Sequence, residues 1–162
     1  MADHPDGPDG PDRPPEPAEI VLSTEHPARP RGPQGGSRPP YGAPTRTHLP
    51  DDTVLSWRPA DLSGIARYAL DAEYADRPVP VALARRFGGE DFWARWTRAE
   101  VCAKLTDTPI LVWIRLHGLP TDPAAGTGLR VHTLDLATPG GRTIRVSTGT
   151  AGRPPADRGP VA

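Results

Sequence analysis

Glu90-Asp91-Phe92-Trp93-Ala94-Arg95-Trp96-Thr97-Arg98-Ala99-Glu100-Val101-Cys102-Ala103-Lys104 is the longest periodic stretch of the chain. Phe92, Trp96, Ala99 and Ala103 recur at three- and four-residue spacing, which predicts a helix with one buried stripe. Glu90 and Asp91 fall in its expected first turn, where negative charge suits the positive end of a helix. Asp107, Thr108 and Pro109 close it. Before it, Val81 to Phe87 reads as a brief helix, with Pro80 at its start and Gly88-Gly89 at its end. Thr53 to Trp57 reads as a short strand ended by Arg58-Pro59. Ile65 to Leu70 reads as a second strand leading into Asp71, apolar enough along its length to be central. Downstream, Ile110 to Leu116, Leu129 to Leu136 and Arg142 to Val146 are three further predicted strands, with Pro139-Gly140-Gly141 as the turn between the last two. Helices followed by a run of strands predict an α+β fold, a small antiparallel sheet packed against helices, and not a doubly wound sheet.

Composition divides the 162 residues unequally. The chain holds 23 prolines, more than half of them before residue 51, and Tyr41 is the sole aromatic there. Such a segment buries too little apolar surface to offset the entropy of ordering it, so residues 1–45 read as a disordered Pro/Gly-rich tail. Residues 46–150 hold all 4 tryptophans and both phenylalanines and form the expected domain. Residues 151–162 read as a flexible C-terminal tail. A domain of roughly 100 residues folds alone with little margin, so burial against a partner subunit would help it. The formal net charge of -1 and the lack of a long basic stripe argue against nucleic-acid binding driven by charge. The single cysteine, Cys102, excludes an intramolecular disulfide and gives no metal motif. No initial apolar segment or long apolar run stands out, so no membrane association and a cytoplasmic location are expected.

Two acidic elements carry the candidate chemistry. Asp71 and Glu73 alternate along a strand, which places both carboxylates on one face about 7 Å apart. Alone, the pattern also describes a solvated acidic strand end. Glu100 and Lys104 are helix neighbours, and on an open surface they would be an ordinary ion pair worth a few tenths of a kcal/mol. Trp96, one turn before Glu100, puts that pair at the margin of the buried stripe. If the two elements meet, three carboxylates and a lysine share one site. Oxygen donors of this kind suit magnesium, with phosphates and waters completing its shell.

These residues resemble a known family. Phe92 to Lys104 resembles the signature helix of 4'-phosphopantetheinyl transferases, an aromatic residue followed by Trp-Thr-x-Lys-Glu-Ala-x-x-Lys. Leu70-Asp71-Ala72-Glu73 resembles the family's upstream Gly-x-Asp-x-Glu strand, and Leu83 to Phe87 looks like the short helix between. Thr47-His48 has the position of the family's Ser-His pair. Val131 to Leu136 with its Pro-Gly-Gly turn resembles the C-terminal hairpin. The likeness spans roughly residues 46–150, a single transferase-like module.

The resemblance implies a magnesium-dependent enzyme that moves the phosphopantetheine arm of coenzyme A to a serine of an acyl or peptidyl carrier protein. It implies Asp71, Glu73 and Glu100 as magnesium ligands, with Glu100 also accepting the serine proton. Lys104 would assist departure of 3',5'-adenosine bisphosphate, while His48, and beside it Arg46, would contact the coenzyme. The alternative is a non-catalytic relative that binds a carrier protein or a nucleotide, or serves as a subunit of a larger enzyme. Ala99 replaces the family's lysine before the glutamate, and Ala69 replaces the glycine before Leu70-Asp71. The glycine after the helix is missing, and the interval from Asp71 to Glu100 is short. A lone module implies a homo-oligomer, because a coenzyme cleft needs a second wall.

Overall fold

The computed structural model describes residues 20–23, 42–119 and 128–152. Four strands come first: β1 (Ile20–Ser23), β2 (Thr45–His48), β3 (Val54–Trp57) and β4 (Ile65–Tyr74). Helices α1 (Val81–Phe87), α2 (Phe92–Leu105) and α3 (Ile110–His117) follow, then strands β5 (Leu129–Ala137) and β6 (Thr143–Gly152). The strands form two antiparallel three-stranded sheets, ordered β1-β3-β2 and β4-β6-β5. The class is α+β, with two small sheets where the sequence suggests one.

Alternation along β4 builds the layers. Leu70, Ala72 and Tyr74 point into a core shared with Leu55 and Trp57 of β3 and with Ile144 and Val146 of β6. Ala69 points the other way, against Val101 and Leu105 of α2. The second sheet therefore lies between the first sheet and the helices, buried on both faces, which accounts for the near-continuous apolar reading of β4. Asp71 and Glu73 share the α2-facing side with Ala69, by the same alternation. Strand β4 runs past them to Tyr74, so both lie within the strand and not at its end.

Helix α2 sits close to the sheet because β6 offers no side chain at Gly149. A Cβ there would stand 2.5 Å from Val101 Cγ1 and 3.1 Å from Leu105 Cδ1. The buried face of α2 is wider than the predicted stripe. Phe92, Ala99 and Ala103 are buried as expected, but so are Trp93, Thr97, Val101, Cys102 and Leu105. Two neighbours cover it: Thr97, Val101 and Leu105 face the strands, while Trp93 and Cys102 join the cluster of Trp113 and Ile114 of α3. Trp96 is only half-buried and stacks on Phe92 at 5.7 Å between ring centroids. Glu90 and Asp91 precede the first turn, and Asp91 caps it in the left-handed conformation, φ 45°. Aspartate tolerates that region better than most residues.

Two segments differ from the sequence expectation. Ile110 to Leu116, read as a strand, lies within helix α3. A short apolar run carries no period that separates strand from helix, and the punctuation around it decides. Pro109 opens the first turn, accepting from the Val112 and Trp113 amides at 2.9 Å, and Gly118 stops the helix at φ 74°. Trp113 and Ile114, adjacent in sequence, are both buried while Leu111, Val112 and Leu116 are exposed, a helical and not an alternating pattern. The other difference is β1, which lies in the stretch read as tail and pairs antiparallel with β3, burying Ile20. A four-residue strand is stable there because β3 supplies its partner. The hairpin of β5 and β6, the turn at Pro139-Gly140-Gly141 and helix α1 follow the sequence reading.

Candidate functional site

Helix α2 lies over β4 so that its last turns come to the middle of the strand. Lys104 Nζ donates to Asp71 Oδ1 at 2.6 Å and to the Leu70 carbonyl at 3.0 Å. Thr47 of β2 donates its hydroxyl to the same carboxylate oxygen at 3.4 Å. The sequence joins Asp71 to Lys104 across 33 residues, and the fold brings them into contact. Glu73 is held separately, its Oε2 accepting from Arg77 Nη1 at 2.7 Å. The Arg77 guanidinium lies 5.0 Å from the centre of the Trp93 ring, and the Trp93 indole N–H donates back to the Arg77 carbonyl at 2.6 Å.

The electrostatics tie the pieces together. Burial pushes the Asp71 carboxyl up to about 6; Lys104 opposes the rise, while the charges of Glu100 and Glu73 add to it. Burial also raises the Glu100 carboxyl, again against Lys104 and with Glu73. Asp71 and Glu100 therefore both feel the charge of Glu73 on the β4 side of α2, and one ammonium does not offset the desolvation of the two. Burial of this kind favours the protonated carboxyl. The donor chemistry of Asp71, Glu73 and Glu100 fits magnesium, since all three offer carboxylate oxygens. Their arrangement is less complete: Asp71 and Glu73 are turned toward Lys104 and Arg77. Among the described residues no group of three or more His, Cys, Asp or Glu side chains is placed to hold a metal ion.

Of the residues singled out by sequence, Asp71 and Lys104 come into contact, while Glu73 is paired with Arg77 and Glu73 and Glu100 reach Asp71 only through their charge. Arg46 and His48 flank Thr47 on β2 and are both exposed, while the buried Thr47 makes the contact to Asp71. Sequence reasoning passed over Arg77. Its signal was a cation four residues after Glu73 and just before Pro78, where the strand has already ended and the chain can turn back.

A different polar system lies on the β5 side of α2. Thr97 and Ser147 hydroxyls pair at 2.8 Å, Ser147 pairs with Thr133 at 2.8 Å, and Arg98 Nε donates to Thr133 at 2.8 Å. Asp135 accepts two hydrogen bonds from Arg145, at 2.8 and 2.9 Å. An open pocket of about 400 Å³ separates Arg98, Asp135 and Arg145. Its charges are already engaged with one another, and the system chiefly seats α2 on the hairpin. A smaller cavity of about 220 Å³, lined by Pro50, Asp51, Tyr74, Arg77 and Arg142, opens beside the Glu73–Arg77 pair. No helix among the described residues is long and apolar enough to cross a membrane. Compared with protein-family models, curated proteins and solved structures, the chain matches none.

Proposed function

We propose that the protein transfers the 4'-phosphopantetheine arm of coenzyme A to a serine of an acyl or peptidyl carrier protein. The observation that supports this most is the meeting of Asp71 and Lys104, with Glu73 and Glu100 inside the same field. Asp71, Glu73 and Glu100 would hold a magnesium ion. When bound, it would neutralise charge on the pyrophosphate of the coenzyme. Glu100, partly buried and raised in pKa, is suited to accept the proton of the serine hydroxyl, directly or through a water. The serine oxygen forms the new bond to phosphorus as the pyrophosphate P–O bond breaks. Lys104 would neutralise charge on the leaving 3',5'-adenosine bisphosphate, and catalysis would rest on positioning and neutralisation. His48 and Arg46, both exposed on β2, would meet the nucleotide end of the coenzyme.

A second copy would supply the other wall of the cleft. Leu111, Val112 and Leu116 on α3 and Val81 on α1, all exposed, offer apolar surface for such an assembly. A cytoplasmic location belongs to the same proposal, since coenzyme A and carrier proteins are found there.

Incubation with magnesium, coenzyme A and a panel of apo carriers tests the reading by the mass of the intact carrier. At least one carrier gains the arm, and Glu100→Gln lowers the rate at least tenfold, about 1.4 kcal/mol of transition-state stabilisation, with an unchanged circular dichroism spectrum. Failure to modify any carrier overturns the transfer reading. One observation favours a second reading, a non-catalytic relative that binds carrier or nucleotide: Lys104 and Arg77 already neutralise two of the three carboxylates. Binding of coenzyme A or of a carrier without turnover is its signature.

A further inference from the structure

Strand β1 is the sole described element among residues 1–41, and it pairs with one neighbour. It forms the outer edge of its sheet, aligned on β3 in the register Ile20↔Trp57, Val21↔Ser56, Leu22↔Leu55 and Ser23↔Val54. Ile20 enters the core, while Val21 is 56% exposed. β3 is a core strand by contrast: Val54, Leu55 and Trp57 are all buried, and β2 pairs along its other edge. An open cavity of about 480 Å³ adjoins the end of β1, lined by Ser23 together with Thr53, Tyr74, Pro139 and Arg142. Thr53 precedes Val54, the partner of Ser23. A strand that ran on beyond the Ser23 position in the same register would come opposite Thr53, at this cavity.

We propose that the outer edge of β3 is a strand-addition site for an extended segment of a partner protein, and that Ile20–Ser23 is its resident, displaceable occupant. Strand addition holds a peptide by main-chain hydrogen bonds and reads its alternate side chains. β1 already has that form: a short segment from outside the domain, antiparallel on a sheet edge, with one aliphatic side chain inserted. Its removal would uncover an edge of β3, and an open edge recruits another strand. An incoming segment restores the four-residue pairing and the aliphatic residue opposite Trp57. A longer one also gains the position opposite Thr53 and a side chain in the cavity. Asp51 there accepts from the Tyr74 hydroxyl, and Arg142 is held by Asp76 over the Tyr74 ring, so the side chain that fits is uncharged. A second copy offers the same strand as the resident one and gains nothing over it, which favours a different protein. The proposal stands apart from the transfer reading and needs no metal.

The probe is a fluorescent peptide of this chain's own residues 17–26, titrated by anisotropy into the full chain as wild type and as Ile20→Asp. A tethered strand competes at high effective concentration, so the peptide binds Ile20→Asp about tenfold or more tighter than wild type. The same peptide carrying Thr24→Phe, which offers the cavity a larger uncharged side chain, binds more tightly still, and one carrying Ile20→Asp binds neither chain. Hydrogen exchange of residues 54–57 locates the event: it quickens in the Ile20→Asp chain and slows again when peptide is added. Circular dichroism checks the fold, and if Ile20→Asp does not fold, Ile20→Ala makes the same test with a gain of about threefold. Equal peptide affinity for wild type and variant, or no binding to the variant, overturns the strand-addition site. A wild-type dimer by light scattering that becomes a monomer in the variant assigns the edge to a second copy and overturns the partner.

Discussion

Asp71 and Asp135 both sit on the helix-facing side of the central sheet, each with a basic side chain within hydrogen-bond distance, yet they respond in opposite directions. Two parallel hydrogen bonds from Arg145 hold the Asp135 carboxyl below its ordinary value, with burial opposing. Asp71 is raised to about 6, because burial and two neighbouring carboxylates outweigh one lysine. The first pair is exposed and self-satisfied, so it anchors β5 to β6 and does little else. The second leaves a carboxylate short of positive charge inside the protein. Unresolved charge of that kind costs stability and is retained where a ligand or a proton completes it.

The largest effect expected from this contrast is at Asp71. Asp71→Asn keeps the shape and removes the charge, and on the proposed transfer reading carrier modification would fall about a hundredfold, roughly 2.7 kcal/mol in the barrier. Stability moves the other way. The folded carboxyl binds its proton more tightly than the unfolded one, at about 6 against 3.8. The native state therefore holds the extra proton between those values, and wild-type stability falls as pH rises through the window. Above it the buried charge costs on the order of 1–3 kcal/mol, which the asparagine removes. Chemical denaturation from pH 4 to 7 reads both: Asp71→Asn is more stable at pH 7 and lacks that pH slope. A variant less stable than wild type at pH 7 contradicts the strained-carboxylate reading.

Next in size is Gly149→Ala, which sharpens the comparison by moving α2 relative to both systems. The added Cβ meets Val101 at 2.5 Å, so the helix must shift. Overpacking of this kind costs about 1–3 kcal/mol. On the proposed reading transfer activity would fall with it, since the seat of α2 sets how Lys104 reaches Asp71. A melting temperature equal to that of wild type would show that α2 adjusts freely over the strand.

Much of this arrangement was legible in the sequence, for identifiable reasons. Pro80 and Gly88 bracket α1, and Pro139-Gly140-Gly141 marks the hairpin. The aromatic-rich period of Phe92 to Lys104 admits only a helix. Strand alternation put Asp71 and Glu73 on one face, and helical spacing put Glu100 beside Lys104. What spacing cannot supply is which face meets which, so the contact of Lys104 with Asp71 was a condition in the sequence and a distance in the structure. Helix α3 was missed because Ile110 to Leu116 is apolar at every position but Arg115, which satisfies either period. Strand β1 was missed because Ile20-Val21-Leu22 is a lone apolar triplet, given meaning only by β3. Thr47 was read as one half of a Thr-His pair, with the weight on His48. Burial on β2 reverses that weight, since the threonine faces Asp71 and the histidine faces solvent.

The smallest effect belongs to the satisfied partner in the comparison. Asp135→Asn removes the charge and one of the two hydrogen bonds from Arg145, but the pair is partly exposed, and Arg145 still lies 3.6 Å from Asp91. Pairs of this kind contribute less than about 1 kcal/mol, so the melting temperature drops slightly and carrier modification stays within about twofold, since Asp135 is outside the acidic group. The pH dependence separates it further from Asp71. A carboxyl held below its ordinary value stabilises the fold above that value and loses the contribution as pH falls through its folded pKa. The difference between wild type and Asp135→Asn therefore closes in acid, below about pH 4, where the Asp71 effect has also vanished but from the opposite side. Transfer activity that collapsed in Asp135→Asn would place the chemistry on the β5 side of α2, and with it the pocket of Arg98 and Arg145.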